Sequence, residues 1–437
     1  KMGAIIGVAA CLMAGAISIP FFFESPSMWY KFGLAKVLLR SGKVIGMTAV
    51  ILLFLQLVLA IRLKVLDQVF SLPGLIHTHR INAIIILSLA FFHPILVLTS
   101  DSKLTIPLEM RYWPELMGAG VFFLVLVQFS LSQWRTTLRL KYHVWLILHR
   151  CLGTFILALV ITHILFVSET FSEPGFPRYI LLISAAILSI LWLWNRLGRM
   201  RLRHRSFSVT RVVPEGSKST RIELRPLTDQ PFRYFPGQFV IISVQSKHIS
   251  REYHPFTLSS TPTRSQNLQV TIRNSGDWTQ NVSQIEKGDR VYLQGPFGLF
   301  SHIFANPGRD IVMIAGGIGI TPLLSMLRFM VDRQEPRAVT LVWSSQKRAD
   351  LVYIEEINSF RTKLTGFRLV LMFTRESVKG LTTGRLNREK LKMILQGCSH
   401  NPAVFVCGPL NMMKEVEKDL KTLGLASRLI LMERFGL

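Results

Sequence analysis

The chain has 437 residues, 49% of them hydrophobic, and a formal net charge of +25 from 51 basic against 26 acidic side chains. A positive mean hydropathy, with the apolar residues gathered in the first half, excludes an ordinary soluble protein and requires a membrane-embedded part. The surplus positive charge reads as contact with anionic lipid headgroups plus pockets for anionic cofactors. Nucleic acid is excluded as a partner, because no basic helix or RNA-type aromatic motif accompanies the charge, which clusters beside the apolar runs.

In chain order, apolar segments near 3–23, 44–61, 81–99, 116–132, 144–167 and 178–194 approach or exceed the length that crosses a hydrocarbon core of about 30 Å. They predict a membrane α-helical bundle of six spans with both termini on one side. The first run is long for a signal peptide and lacks a clean small-residue cleavage site, so a retained helix is expected. Orientation follows the short basic loops. Arg62, Lys64 and Arg80 in 62–80, Arg135, Arg139 and Lys141 in 133–143, and Arg196, Arg199, Arg201, Arg203 and Arg205 after the sixth span mark the cytosolic side. The loops 100–115 and 168–177 are acidic or nearly neutral, which agrees. Lys31, Lys36, Arg40 and Lys43 run against this orientation, and an amphipathic interfacial stretch within 24–43 accounts for them. A multi-pass protein of the plasma (cell inner) membrane is expected, with its N-terminus and soluble half in the cytoplasm.

Within two of these segments histidines recur at one interval: His79 with His93, and His149 with His163, each pair fourteen residues apart. Fourteen helical steps return to within about 40° of the same face and climb about 21 Å. Two such helices side by side would stack two facing pairs across the membrane, and neutral imidazole is an axial ligand of haem iron. A lone histidine in an apolar helix is most often a packed residue. Two pairs with matching offset, in segments where ionisable side chains are costly, point to ligation of two haems. His77 and His143 lie beside basic helix ends, off that face, and read as interfacial. Ile86 and Ile156, seven residues from each histidine of their helix, share the ligand face as apolar spacers or simple packing, with Phe155 one position off it. Arg80 and Arg150 adjoin the inner histidines, as partners for haem propionates or as topology charges. The four cysteines, Cys11, Cys151, Cys398 and Cys407, show neither metal-ligand spacing nor a disulfide framework.

After Arg205 the pattern changes to short alternating runs. Phe207–Val213, Ser219–Leu224, Phe239–Val244, Leu268–Arg273 and Arg290–Leu293, separated by Pro, Gly, Ser and Asn, predict a small antiparallel β-barrel. Then strands at Asp310–Ala315, Ala338–Trp343, Arg368–Phe373 and Ala403–Val406 alternate with helices at 321–333 and 351–363, as in a parallel α/β nucleotide-binding sheet. Three domains are expected: 1–200 in the membrane, 201–305 as the barrel and 306–437 as the α/β domain.

Three local motifs place the chemistry. Gly316-Gly317-Ile318-Gly319-Ile320-Thr321-Pro322 follows a strand and opens a helix, where glycines admit a pyrophosphate to the backbone and the helix N-terminus faces its charge. His254-Pro255-Phe256-Thr257-Leu258-Ser259-Ser260 puts a ring, hydroxyls and a basic side chain on a strand, suited to a flavin. Gly276-Asp277-Trp278-Thr279, some twenty residues on, offers a helix start for a pyrophosphate. Val406-Cys407-Gly408-Pro409 ends a strand in a tight turn at the carboxyl edge of the sheet, the usual ligand position.

With these residues together the chain resembles the NADPH oxidase and transmembrane ferric reductase superfamily, over nearly its whole length. The resemblance implies a soluble half like ferredoxin-NADP reductases. FAD would be held by His254, Pro255, Phe256, Thr257, Arg273, Trp278 and Thr279, with His254 where plant-type reductases carry Arg. NADPH would be held by Gly316, Gly317, Gly319, Thr321, Pro322, Cys407, Gly408 and Pro409. Pro236-Gly237-Gln238-Phe239 looks like the family's barrel strand, and Gly295-Pro296-Phe297-Gly298 closes the barrel. Phe435 would cover the flavin ring and, with Cys407, act in catalysis; family members usually end at or near that aromatic, whereas Gly436 and Leu437 follow here. For a 2′-phosphate, Ser344, Lys347 and Arg348 after the second strand and Arg375 after the third favour NADPH over NADH. His79 and His149 would hold an inner b-type haem, His93 and His163 an outer one. Electrons would run from NADPH through FAD and both haems to O2, giving superoxide, or to a ferric chelate. Val97 stands where superoxide-producing relatives carry a further histidine, which tilts toward the chelate; the oxidase is the reading kept. A haem relay subunit without turnover is the alternative of another class. The compact chain, without calcium-binding loops or a proline-rich tail, is expected to be bacterial and to need no obligatory protein subunit, only membrane lipid.

Overall fold

The computed structural model describes residues 2–23, 32–61, 72–101, 106, 108–140, 142–202, 205–264, 266–306, 308–377, 382–398 and 401–433. They form two units that divide at Leu197 and Gly198.

The first unit is helical: α1 Met2–Phe22, α2 Gly33–Ile61, α3 Leu72–Ser100, α4 Trp113–Gln133, α5 Tyr142–Val167, a single turn α6 Glu169–Ser172, and α7 Phe176–Leu202. Five stretches are long and apolar enough to cross a membrane, namely Gly33–Ile61, Gly74–Ser100, Met110–Gln133, Val144–Val167 and Phe176–Trp194. Of α1, Ala10–Phe22 counts as a shorter apolar helix, so five of the six expected spans meet that measure among the described residues. Large apolar side chains such as Phe92, Phe123, Ile147 and Ile190 stand on the outside of the bundle, as a hydrocarbon solvent permits and water does not. Pro114 opens α4, where a missing N–H costs nothing.

The helices outrun the apolar segments that announced them. α2 begins eleven residues before the apolar run, taking Lys36, Arg40 and Lys43 into its first turns. Charged side chains interrupt hydropathy without interrupting the backbone ladder. Arg40 lies over the Phe21 ring at 5.1 Å. α2 packs against α1 and α3, and α4 against α3 and α5, so α3 and α5 are braced from outside and turn their histidine faces to each other. Lys31 falls outside the described residues.

The second unit carries two sheets. β1 Ser206–Glu215, β2 Ser219–Pro226, β3 Phe239–Gln245, β4 His254–Thr257, β5 Leu268–Arg273 and β6 Arg290–Phe297 form an antiparallel sheet in the order β4-β3-β6-β1-β2-β5. A bridge from Leu258 to Val270 brings its two edges together as a barrel. Alternating residues, among them Phe207, Val209, Ile222, Leu224, Val240 and Ile242, fill the interior, the period-two pattern that made these strands legible. Pro236-Gly237-Gln238 forms the tight turn into β3. Gly237 has φ +89, and a Cβ there would meet the Phe300 carbonyl.

The other sheet is parallel, built from β7 Ile311–Gly316, β8 Val339–Ser345, β9 Phe367–Phe373, β10 Thr382–Thr383, β11 Ala403–Cys407 and β12 Ile430–Glu433, in the order β10-β9-β8-β7-β11-β12. α8 Asp277–Gln280 precedes it in the chain. α9 Ile320–Asp332 and α10 Ile354–Lys363 belong to one buried cluster, and α11 Arg388–Gln396 and α12 Leu410–Thr422 to another. With helices on both faces β7 and β11 are buried throughout, which is why they read as unbroken apolar runs. Neighbours of β7 run to β8 on one side and β11 on the other, so the strand order reverses there. In an open α/β sheet that reversal, at the carboxyl ends, is the ligand crevice.

Candidate functional site

The membrane unit sets its histidines as their spacing required. His79 on α3 and His149 on α5 face each other with ring centres 6.3 Å apart. A metal held about 2 Å from one nitrogen of each of two imidazoles puts the ring centres about 6 Å apart, so this pair fits axial ligation. His93 and His163 are within electrostatic reach of each other. Each is oriented by a backbone carbonyl: His93 Nδ1 lies 2.9 Å from Gly42 O, and His163 Nδ1 lies 2.9 Å from Pro114 O. A carbonyl only accepts, so Nδ1 donates and Nε2 keeps its lone pair for a metal. His149 Nδ1 is 3.3 Å from Ser132 Oγ. That hydroxyl donates its one proton to Gln128 O at 2.8 Å, so it accepts from His149, which is thereby put in the same tautomer. Among the described residues no three His, Cys, Asp or Glu side chains gather as an all-protein metal site. Two facing imidazoles instead suit a macrocycle that brings its own equatorial nitrogens.

Two glycines make these seats possible. A Cβ at Gly46 would stand 2.9 Å from the His93 ring, and one at Gly118 would stand 2.5 Å from His163 Cε1. Ile86 and Ile156 are buried, at 7% and 3% exposure, whereas Phe155 is exposed. His77, Arg80 and Arg150 are exposed; the His143 side chain lies outside the described residues. Sequence reading passed over Gln56, Asn82, Gln128 and Ser132, though polar residues inside apolar helices are themselves a signal. Asn82 donates to Leu52 O at 2.9 Å and Gln56 Oε1 at 2.7 Å, and Gln56 donates to His79 O at 3.0 Å, tying α2 to α3.

On the barrel, His254, Phe256 and Trp278 form one aromatic group, with His254 and Trp278 4.3 Å apart and Phe256 and Trp278 6.0 Å apart. Trp278 Nε1 donates to Ser250 O at 2.8 Å, so this indole braces His254 from the barrel core. Burial pulls the His254 pKa down against the opposing carboxylate of Glu252, 3.2 Å away, which favours the neutral ring. Pro255 lies between them on β4. Thr257 is buried and its hydroxyl has no hydrogen-bond partner among the described residues. An orphaned buried hydroxyl on this strand fits a hydrogen bond to a flavin. Thr279, by contrast, spends its hydroxyl on its own turn, accepting from Ser275 N and Gly276 N at 2.9 Å. The helix it belongs to is the single turn α8.

The two nucleotide motifs meet. A Cβ at Gly319 would overlap the Cys407 carbonyl, one at Gly316 would stand 2.6 Å from Pro409 Cδ, and one at Gly408 would stand 2.9 Å from Gly316 Cα. The glycines are thus required by contact between two turns as well as by room for a ligand. Trp343 Nε1 donates to Gly317 O at 3.0 Å, and Thr321 Oγ1 to Ile318 O at 3.1 Å, fixing the turn; Pro322 is buried in the first turns of α9. Arg273, expected at the flavin, brings its guanidinium to the Gly317 turn, 3.0 Å from where a Cβ would be. Cys407 is fully buried, and burial, then the charge of Glu433, pushes its thiol well above the usual range. Its carbonyl packs against the Gly319 position, and a thiol so buried stays protonated at neutral pH. Ser344, Lys347, Arg348 and Arg375 cluster at the carboxyl edge, where Arg375 N donates to Gln346 O at 3.1 Å and Arg348 N to Glu376 Oε2 at 2.6 Å. Phe435 lies outside the described residues.

Comparison with known families agrees with this layout. Residues 45–160 match the ferric reductase like transmembrane component, 211–299 an FAD-binding domain, and 313–418 the oxidoreductase NAD-binding domain. Flavohemoprotein A of Dictyostelium discoideum is 30% identical over 254 residues, 53% of this chain and 60% of that protein. The glycine betaine monooxygenase reductase subunit of Chromohalobacter salexigens is 28% identical over 211 residues, 45% of this chain and 55% of that protein. The chain therefore spans 60% of the first relative's length and 55% of the second's. Among solved structures, the flavohemoglobin from Malassezia yamatoensis with bound FAD and heme aligns with a TM-score of 0.52 at 19% identity, over 93% of this chain and 99% of that one, a likeness of fold alone.

Proposed function

We propose that this chain, which has the domain architecture of the NADPH oxidases and transmembrane ferric reductases, carries electrons from NADPH across a membrane to O2, giving superoxide. It is a membrane oxidoreductase with FAD- and NAD-binding electron-transfer domains. The observation that carries the finer reading is the facing of His79 and His149 at a separation suited to one metal between them.

Bound FAD would supply the conversion of a two-electron hydride into single electrons, and two b-type haems a one-electron path. The residues do the rest. The Gly316–Gly319 turn and the start of α9 receive the dinucleotide pyrophosphate, with Arg273 beside them. Ser344, Lys347, Arg348 and Arg375 offer a hydroxyl and three cations to a 2′-phosphate, which favours NADPH over NADH. Thr257 offers its free hydroxyl to the flavin, and His254 is held against Trp278. His79 with His149, and His93 with His163, would hold the two irons, with His149, His93 and His163 each oriented through Nδ1. With two histidines committed to each haem, the group would supply one-electron transfer to the acceptor rather than a binding site for it. The basic loops and the arginines beyond Trp194 support a cytosolic soluble half, with which His79 and His149 would be the inner pair.

A ferric chelate is the second acceptor, favoured by Val97, which packs against α2, its Cγ2 2.8 Å from where a Cβ on Gly42 would be, and gives no further histidine. The test is the purified full chain in detergent or lipid, without added subunits. Two haems by pyridine haemochrome, NADPH consumption, and cytochrome c reduction blocked by superoxide dismutase are expected. One haem per chain sinks the relay, absence of NADPH consumption sinks the enzyme, and turnover only with ferric chelate replaces the acceptor.

A further inference from the structure

The helix that starts at the nucleotide turn is bonded along its length to the end of the flavin motif and the residues just after it. Ser325, Arg328 and Asp332 of α9 are spaced by three and four residues and so share one stripe of the helix. Ser325 Oγ donates to Ser260 O at 2.6 Å. Arg328 Nη1 donates to Ser259 O at 2.8 Å and to Gln269 Oε1 at 2.9 Å. Asp332 Oδ2 accepts from Thr261 Oγ1 at 2.7 Å and from Thr263 Oγ1. Ser325 and Ser259 are fully buried. The other edge of Arg328 is gripped by Glu356 of α10, Nε to Oε1 and Nη2 to Oε2 both at 2.7 Å. Its guanidinium also lies over the Tyr353 ring at 4.9 Å, and Tyr353 Oη is 2.7 Å from Thr271 Oγ1 on β5. Tyr353 holds φ +56, a left-handed backbone that a bulky residue keeps only where its surroundings over-determine it.

We infer that Arg328, with Ser325 and Glu356, is a positioning set that fixes the distance between the nucleotide turn and the flavin-motif strand. Nine helical steps from Gly319 to Arg328 make a rod of about 14 Å. One end is the turn packed on Cys407 and Gly408, and the other is bonded two and three residues beyond Thr257. In the step served, the C–H bond of reduced nicotinamide breaks and its hydrogen, with both electrons, passes as hydride to the isoalloxazine, leaving oxidised nicotinamide. Such transfer needs reacting atoms about 3–3.5 Å apart, and an error of about 1 Å costs about a hundredfold. Planar, two-edged bonding is what an arginine provides and a lysine does not. The set bonds the backbone carbonyls of Ser259 and Ser260 and none of the side chains expected to hold either cofactor, so it should govern rate and leave affinity alone.

This role rests on the proposed reduction of FAD by NADPH, and the test separates the two. In full-length Arg328→Lys protein, anaerobic single-turnover flavin reduction should slow about tenfold or more, with flavin content and NADPH KM within about twofold of wild type. Independently of turnover, hydrogen exchange should rise about tenfold at 258–261 and stay unchanged at 317–321. Ser325→Ala, which removes one bond and leaves the ion pair, should move both readouts the same way by less, and carries the test if Arg328→Lys does not fold. A wild-type reduction rate in flavin-replete variants, or loss of flavin with a raised KM in both, overturns the positioning role. A wild type whose flavin NADPH does not reduce overturns the function reading, while the exchange pattern still decides whether this helix holds the strand.

Discussion

His302 should make the soluble half weaken as the medium turns mildly acidic. It is 1% exposed, packed 5.8 Å from the Phe329 ring, and its Nδ1 has no hydrogen-bond partner among the described residues. Burial, assisted by the charge of Arg337 and opposed by Glu335, lowers its pKa from 6.5 to about 4. The unfolded chain therefore takes up this proton first, between about pH 6.5 and pH 4, and in that window stability rises with pH. Its contribution is complete above the unfolded pKa and lost on the way down to the folded one. The whole displacement is worth about 3 kcal/mol, of which about 2 kcal/mol disappears between about pH 7.5 and pH 5. Glu335 and Asp350, whose carboxyls are held below their ordinary values, contribute losses only at more acid pH. His254 is displaced in the same direction as His302, so a variant must isolate one ring. His302→Leu keeps similar bulk and removes a nitrogen that bonds nothing, which costs little at neutral pH. Urea unfolding of the full chain in detergent, followed by flavin fluorescence, should show the variant gaining about 2 kcal/mol on wild type between these pH values. Parallel pH curves for the two proteins would refute the reasoning.

His93→Ala or His163→Ala should lower the haemochrome count from two to one and stop transfer to the acceptor, with flavin reduction by NADPH within about twofold of wild type. Gly118→Ala puts a methyl against His163 Cε1; the low-spin haem signal in electron paramagnetic resonance should shift or vanish, and an unchanged spectrum counts against the seat described for that ring. Gly319→Ala overlaps the Cys407 carbonyl and should cost about 1–3 kcal/mol in chemical denaturation while weakening nucleotide binding. Arg375→Ala should raise KM for NADPH about tenfold with little change for NADH, since it removes a cation offered only to a 2′-phosphate; equal effects on both nucleotides would assign that edge differently.

Much of this was legible where one physical rule governs a segment. Leu268–Arg273 was read to its exact ends, because alternation in a half-buried strand is strict and turn residues bound it. The histidine faces followed from helix geometry alone. Span ends were less legible, since α2 and α3 start well before their apolar runs. α11 and α12 were missed, each having only a narrow apolar stripe among charged residues. The four residues of β12 gave too short a pattern, and only pairing with β11 defines them. The burial of Cys407 was not legible, because it depends on strands from three parts of the chain. Nor were the bonds from α9 to Ser259, Ser260 and Thr261, whose partners lie 65 to 71 residues away.

The buried isoleucines midway between the histidine pairs bear on electrical balance. Ile86 and Ile156 put hydrocarbon at the depth where a relay of protons would need water or ionisable groups. A current carried along the proposed path by electrons alone would leave one positive charge behind on the donor side for each electron passed. Against a potential negative on that side the outward electron is helped, by about 2.3 kcal/mol for each 100 mV. The same current erodes that potential. In sealed proteoliposomes turnover should stall within the first few hundred electrons and resume when an ionophore lets cations follow.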